Sequence, residues 1–149
     1  MRSFKWAYPI VGLLMLESVL HRNALLAYQN PLAGRTPWGL DSNTDWGQGL
    51  KSLGKRRSQY PAEKLALSLF GGSLPETYGI TEYVALPSFP ALPNHVPLIS
   101  VGFMGYVAVS RNALFGYGVD HPSMRELLHK EPLECFQDAL CVFDVRGIP

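Results

Sequence analysis

Little in this sequence points to a metal, a catalytic serine or nucleic acid. His21, His95, His121 and His129 are the four histidines, and they show no paired ligand spacing. There is no CxxC pair, so no metal is expected. No G-x-S-x-G elbow is present. Ser110, in V-S-R, reads as a strand end or a cap. Thirteen basic against twelve acidic residues leave a formal net charge of +1, too weak a field to steer the chain to nucleic acid. The basic run Lys51, Lys55, Arg56, Arg57 is local and reads as a solvated helix end. Gly71-Gly72-Ser73 could cradle a phosphate, but no lysine at Walker spacing follows. No cofactor is expected. Repeats and low-complexity tracts are missing as well.

Long apolar runs are also scarce. The longest lies near the start, over 6–16, and Glu17 interrupts it. That is short of the ~20 residues a spanning helix needs. Arg2 and Lys5 precede it, as in a signal peptide, but no A-x-A cleavage site follows. It reads as an apolar N-terminal helix over 1–22: the stump of a membrane helix, an amphipathic helix in its place, or a helix packed on the domain's own core. The two cysteines, Cys135 and Cys141, share one apolar segment. In an extended strand they would stand about 20 Å apart, beyond disulfide reach. They read as buried free thiols. A hairpin at Gln137-Asp138 is the alternative that would join them.

What the chain does have is concentrated in DSNTDWGQGLKSL, residues 41–53. Asp41, Ser42 and Asn43 can accept from the free N–H groups of a first helical turn. Asp45 places a negative charge where the helix dipole favours one. Trp46, Leu50 and Leu53 recur at i, i+4 and i+7, one helical face. The spacing predicts a helix over 45–58, stopped at Tyr60-Pro61 because the residue before proline avoids helical backbone. Gly47 is out of place in a first turn, where it costs ~1 kcal/mol against alanine. Its use implies that another backbone or a ligand comes close. Asp41 and Asp45 are the carboxylate pair of interest. Asp45 could act as a base, although capping is the simpler role. Trp46 could stack on a sugar ring or anchor the helix in the core.

DSNTDWGQGLKSL resembles the DSN-x-DWGQ-x-L-x-x-L signature that follows the last membrane helix of bacterial dolichyl-phosphate-mannose protein mannosyltransferase-like (GT-C) glycosyltransferases. Leu26-Ala27-Tyr28-Gln29-Asn30-Pro31-Leu32-Ala33-Gly34 resembles that group's L-A-Y-F-N-x-L-A-G-G, with Gln29 for the usual aromatic and Arg35 for the second glycine. Phe70-Gly71 with Pro75-Glu76-Thr77-Tyr78-Gly79-Ile80, and Gly105-Tyr106-Val107-Ala108-Val109-Ser110, are similar to later motifs of the group. The segment 132–145 resembles its closing strand. The similarity covers most of 20–145, in order. It implies an extracytoplasmic (periplasmic), membrane-associated domain over 23–149. The implied partners are the membrane helices of a glycosyltransferase or the membrane surface, and a glycan or polyprenyl-phosphate sugar. The group's catalytic acid lies in an early extramembrane loop, and nothing here matches it, so no catalytic residue carries over. Asp41, Asn43, Asp45, Trp46 and Gln48 are the candidate substrate-binding residues.

The rest of the chain reads as one small α/β domain with a mixed sheet of about four to five strands and flanking helices. A chain of this length buries roughly two-thirds of its unfolded surface. Ala24 to Tyr28 continues the N-terminal helix, and Asn30-Pro31 and Thr36-Pro37 mark turns. Lys64 to Phe70 is a central strand, with the 71–73 turn at its carboxyl end. A short turn or helix over 75–80, a strand over 81–86 and a stiff loop over 87–97 follow. Four prolines make that loop unfit for any ladder. A strand over 105–110, a helical turn over 111–115 and a helix over 121–130 come next. Met124, Leu127 and Leu128 form that helix's inner face, and a last strand or hairpin closes the chain over 133–145. Three functions fit: an accessory, non-catalytic domain of a membrane glycosyltransferase; a free-standing sugar- or peptide-binding module; or a fragment with a fold and no independent role.

Overall fold

The computed structural model describes residues 5, 7–22, 45–60, 65–89, 105–116 and 122–146. Helix α1 is Ala7–Leu20 and α2 is Gln48–Lys55. A 3₁₀ turn at Arg57–Gln59 leads to strand β1, Leu65–Ser68. A second 3₁₀ turn, Pro75–Tyr78, precedes β2, Val84–Ala85. Then come β3 (Tyr106–Ser110), α3 (Arg111–Leu114), α4 (Pro122–Leu127), β4 (Glu134–Phe136) and β5 (Leu140–Asp144). The five strands form one sheet in the order β2-β1-β3-β5-β4. β2, β1 and β3 run parallel, while β5 lies antiparallel to β3 and to β4. The fold is α/β with a mixed sheet, as expected.

Period-2 alternation sorts the side chains of β1 and β3 into two layers. Leu65, Leu67 and Ala108 face a cluster with Leu50 and Leu53 of α2, Tyr60, Ile80 and Leu140. Ala66, Val107 and Val109 face the other side, with Ala113, Leu114, Met124, Leu127 and Phe143. Helices therefore cover both faces, which is why β1 is buried along its whole length and reads as a continuous apolar run.

Several elements are shorter than the sequence suggests. α2 starts at Gln48 because Gly47 sits in left-handed backbone, φ 79°, which a right-handed helix cannot include. At its other end Arg56 N–H is shared between the carbonyls of Ser52 (3.3 Å) and Leu53 (3.0 Å), and the chain tightens into 3₁₀ geometry. Leu50 and Leu53 are buried, but Trp46 precedes the helix and is exposed; it is not part of the buried face. α4 ends at Leu127, so Leu128 lies in a turn and is exposed while Met124 and Leu127 are buried. The proline-rich segment does pair at its start: Phe89 bridges Phe70 in parallel. Pro87 has no N–H to give, and Ser88 Oγ accepts from Leu69 N–H in the gap (2.9 Å).

The cysteines are not free thiols. Gln137 and Asp138 both take φ of 52°, the hairpin turn closes with Ala139 N–H on the Phe136 carbonyl (3.0 Å), and Cys135 and Cys141 become direct cross-strand partners. They form a disulfide, with Cα atoms 4.0 Å apart. The extended-strand distance does not apply once the segment folds back on itself.

α1 has no buried residue. Ile10, Val11, Leu13, Leu14, Leu16, Val19 and Leu20 are all exposed and occupy every side of the helix, so it is neither packed on the domain core nor amphipathic. No described helix is long and apolar enough to cross a membrane.

Candidate functional site

The parallel strands β1 and β3 end side by side, and in open α/β sheets such carboxyl ends are where ligands gather. Three segments meet there. Asp45 is almost completely buried (4% exposed). One carboxylate oxygen accepts from Gly47 N–H at 2.9 Å. The other accepts from the hydroxyl of Ser110, the last residue of β3. Burial pushes the Asp45 pKa above the usual carboxylate range, and the hydrogen bonds from Ser110 and Gly47 offset this only in part.

The turn after β1 closes on the same loop. Ser73 Oγ donates to the Trp46 carbonyl at 2.7 Å. A Cβ on Gly47 would lie 2.3 Å from Ser73 Cβ and Oγ, and one on Gly71 would lie 3.1 Å from the Asp45 carbonyl oxygen. The glycine that the sequence marks as anomalous thus answers two demands, a positive φ and a close neighbour. Gln48 Oε1 accepts from Trp46 N–H at 2.7 Å. Side chains within the loop hold its backbone, and neither Asp45 nor Gln48 caps α2 by a side-chain bond to its first turn.

Trp46 stands out from this frame at 59% exposure. It is therefore not the core anchor that i, i+4, i+7 spacing suggests. Leu74 (56%) and Phe89 (53%) are also exposed. Both attach to the same turn: Leu74 follows Ser73, and Gly71 N–H donates to the Phe89 carbonyl at 2.7 Å. The Phe89 ring stacks on Phe70 with centroids 5.7 Å apart.

Of the five candidate binding residues, Asp45, Trp46 and Gln48 come together here. Asp41 and Asn43, with Ser42, lie outside the described residues, as do the connector over 23–40, the loop over 90–97 and His121. Ser73, Ser110, Leu74 and Phe89 join the site without having been expected in it. Ser110 carried a signal, a polar residue ending an apolar strand beside parallel β1. Leu74 and Phe89 carried none, since exposure of single apolar residues has no sequence mark.

The opposite end of the sheet is a polar tie. Glu134 accepts from Arg56 Nη1 at 2.6 Å and from the Tyr60 hydroxyl. Burial, then this bond to Glu134, raises the Tyr60 pKa. The Tyr60 ring meets Tyr106 edge-on at 5.1 Å, and Arg146 lies 4.8 Å over Tyr106. Arg57 Nη2 donates to the Glu82 carbonyl at 2.9 Å. Half of the basic run thus ties the end of α2 to β4 and to Glu82, although Arg56 remains exposed. Among the described residues no group of three or more His, Cys, Asp or Glu could hold a metal ion.

Comparison with protein-family models, with curated proteins and with solved structures finds no match for this chain.

Proposed function

We propose that the chain is an extramembrane accessory domain of a membrane glycosyltransferase that uses a polyprenyl-phosphate-linked sugar, and that it does not transfer sugar alone. One observation carries the reading. Three separated stretches that resemble the GT-C transferases supply Asp45 to Gln48, Gly71, and Ser110, and these meet at the carboxyl end of β1 and β3, where Ser110 bonds the Asp45 carboxylate and Gly71 lies against the Asp45 carbonyl. Chance matches of short motifs would not be expected to share one site.

Two further features support it. α1 is apolar on every side and buries nothing, as suits a segment whose surroundings are lipid or other membrane helices. The Cys135–Cys141 disulfide suits an extracytoplasmic face, where disulfides persist. In this reading the loop carrying Asp41, Asn43, Asp45, Trp46 and Gln48 works beside the glycan or the lipid-linked sugar. Asp45 and Gln48 set its shape and Trp46 presents its ring.

Photo-crosslinking tests the proposal. A photoreactive residue in place of Trp46, expressed in native membranes, is expected to capture a polytopic membrane protein or a polyprenyl-phosphate sugar. Capture of soluble proteins alone would overturn it.

A further inference from the structure

We infer that Trp46, Leu74 and Phe89 form a foot that seats the carboxyl end of the sheet in the headgroup layer of a lipid bilayer. The inference rests on the membrane-proximal reading above and names the partner of that same site. All three side chains are more than half exposed, and all three hang from the 70–74 turn. Clustered exposed apolar groups on a soluble domain mark a contact surface. Tryptophan in particular favours the membrane–water interface.

The polar atoms of the described residues favour lipid over sugar. A sugar site needs polar groups aimed outward at hydroxyls. Here, among the described residues, they are engaged within the chain itself. The Asp45 oxygens are engaged by Gly47 and Ser110, and Gln48 Oε1 by Trp46 N–H. Ser73 Oγ binds the Trp46 carbonyl. Ser88 Oγ accepts from Leu69 N–H and donates to the Leu86 carbonyl. The large side chains that stand exposed here among the described residues, Trp46, Leu74 and Phe89, are apolar. Lys51, exposed in the first turns of α2 beyond Trp46, matches an anionic lipid surface. Glu76, the nearby acid, accepts from the Tyr83 hydroxyl at 2.8 Å. Residues 23–44 link α1 to Trp46, so one bilayer can take both.

The test uses the full chain with Trp6→Phe and Trp38→Phe, which leaves Trp46 as the sole tryptophan. The probe is vesicles of equal parts phosphatidylcholine and phosphatidylglycerol, with and without brominated acyl chains. The chain is expected to cosediment, and Trp46 emission is expected to shift to the blue and to be quenched by the brominated lipid. Leu74→Glu with Phe89→Glu should weaken this docking roughly tenfold or more while α1 keeps the chain on the vesicle. A vesicle-bound chain whose Trp46 stays in water would overturn the foot and leave the membrane-proximal reading standing. A chain that ignores vesicles altogether would overturn both. Quenching of Trp46 by methyl mannoside in lipid-free buffer, with no response to brominated lipid, would replace the foot by a sugar platform.

Discussion

Ser110, at the end of β3, donates its hydroxyl to the buried carboxylate of Asp45, 65 residues earlier in the chain. This contact fastens the loop before α2 to the central strand of the sheet. It therefore fixes where Trp46 stands. The site is a backbone shape held by internal polar bonds, with its apolar side chains turned out.

Asp45 should make stability depend on pH. Its pKa is raised in the fold, burial being the main cause, against about 3.9 in the unfolded chain. The protonated form is therefore the one favoured by folding. Its contribution is fully present below about pH 4 and declines as pH rises through the folded pKa. Asp45→Asn keeps an acceptor for Gly47 N–H and carries no charge. The urea midpoint of Asp45→Asn relative to wild type is expected to rise between pH 4 and pH 7. Asp45→Ala, which strands the Gly47 N–H and the Ser110 hydroxyl, is expected to lose about 2 kcal/mol. A pH-independent difference between Asn and Asp would remove the buried carboxylate from the account.

Gly47→Ala should destabilise the chain by roughly 2 kcal/mol or more, from left-handed backbone and from the clash at Ser73 together. Adding Ser73→Gly should restore part of the loss, because it makes room but leaves φ at 79°. Chemical denaturation of the single and double variants measures this. No rescue would mean that Ser73 does not crowd Gly47.

The sheet was legible because its strands are continuous apolar runs bounded by Gly and Pro, as at Leu65 to Phe70, and because burial on both faces requires helices on both sides. α2 was legible from Leu50 and Leu53. Trp46 was misplaced because helical spacing does not reveal that Gly47 turns left-handed one residue later. The disulfide ranks second to free thiols in the sequence because strand distances do not hold across a hairpin at Gln137-Asp138, where two non-glycine residues adopt positive φ. Within the site, Asp45 and Gln48 stood out by type. Their partners Ser110 and Ser73 depend on contacts 65 and 27 residues apart, which no local pattern records.

The disulfide should matter modestly. Cys135 and Cys141 are six residues apart, and so short a loop restricts the unfolded chain by only about 2 kcal/mol. The flanking pairs Glu134–Val142 and Phe136–Leu140 still align the hairpin without it. Cys135→Ser with Cys141→Ser is expected to fold, with a urea midpoint lowered by that amount and unresponsive to reductant. An unfolded double variant would show that the hairpin depends on its crosslink.

Removal of residues 1–22 is expected to leave the urea midpoint unchanged within about 0.5 kcal/mol, since surface positions outside the core contribute little and α1 buries nothing. The same removal should abolish firm attachment to membranes. A large loss of stability would mean that α1 packs on the domain after all.

The central claim is that this domain serves a transferase fed by a polyprenyl-phosphate sugar. Sugar transfer from a labelled polyprenyl-phosphate donor, compared between native membranes with and without the chain, tests it most directly. The expected result is loss of transfer in membranes lacking the chain, recovery on re-expression, and none from the purified chain alone. Transfer that is indifferent to the chain, or that the purified chain performs unaided, would contradict it.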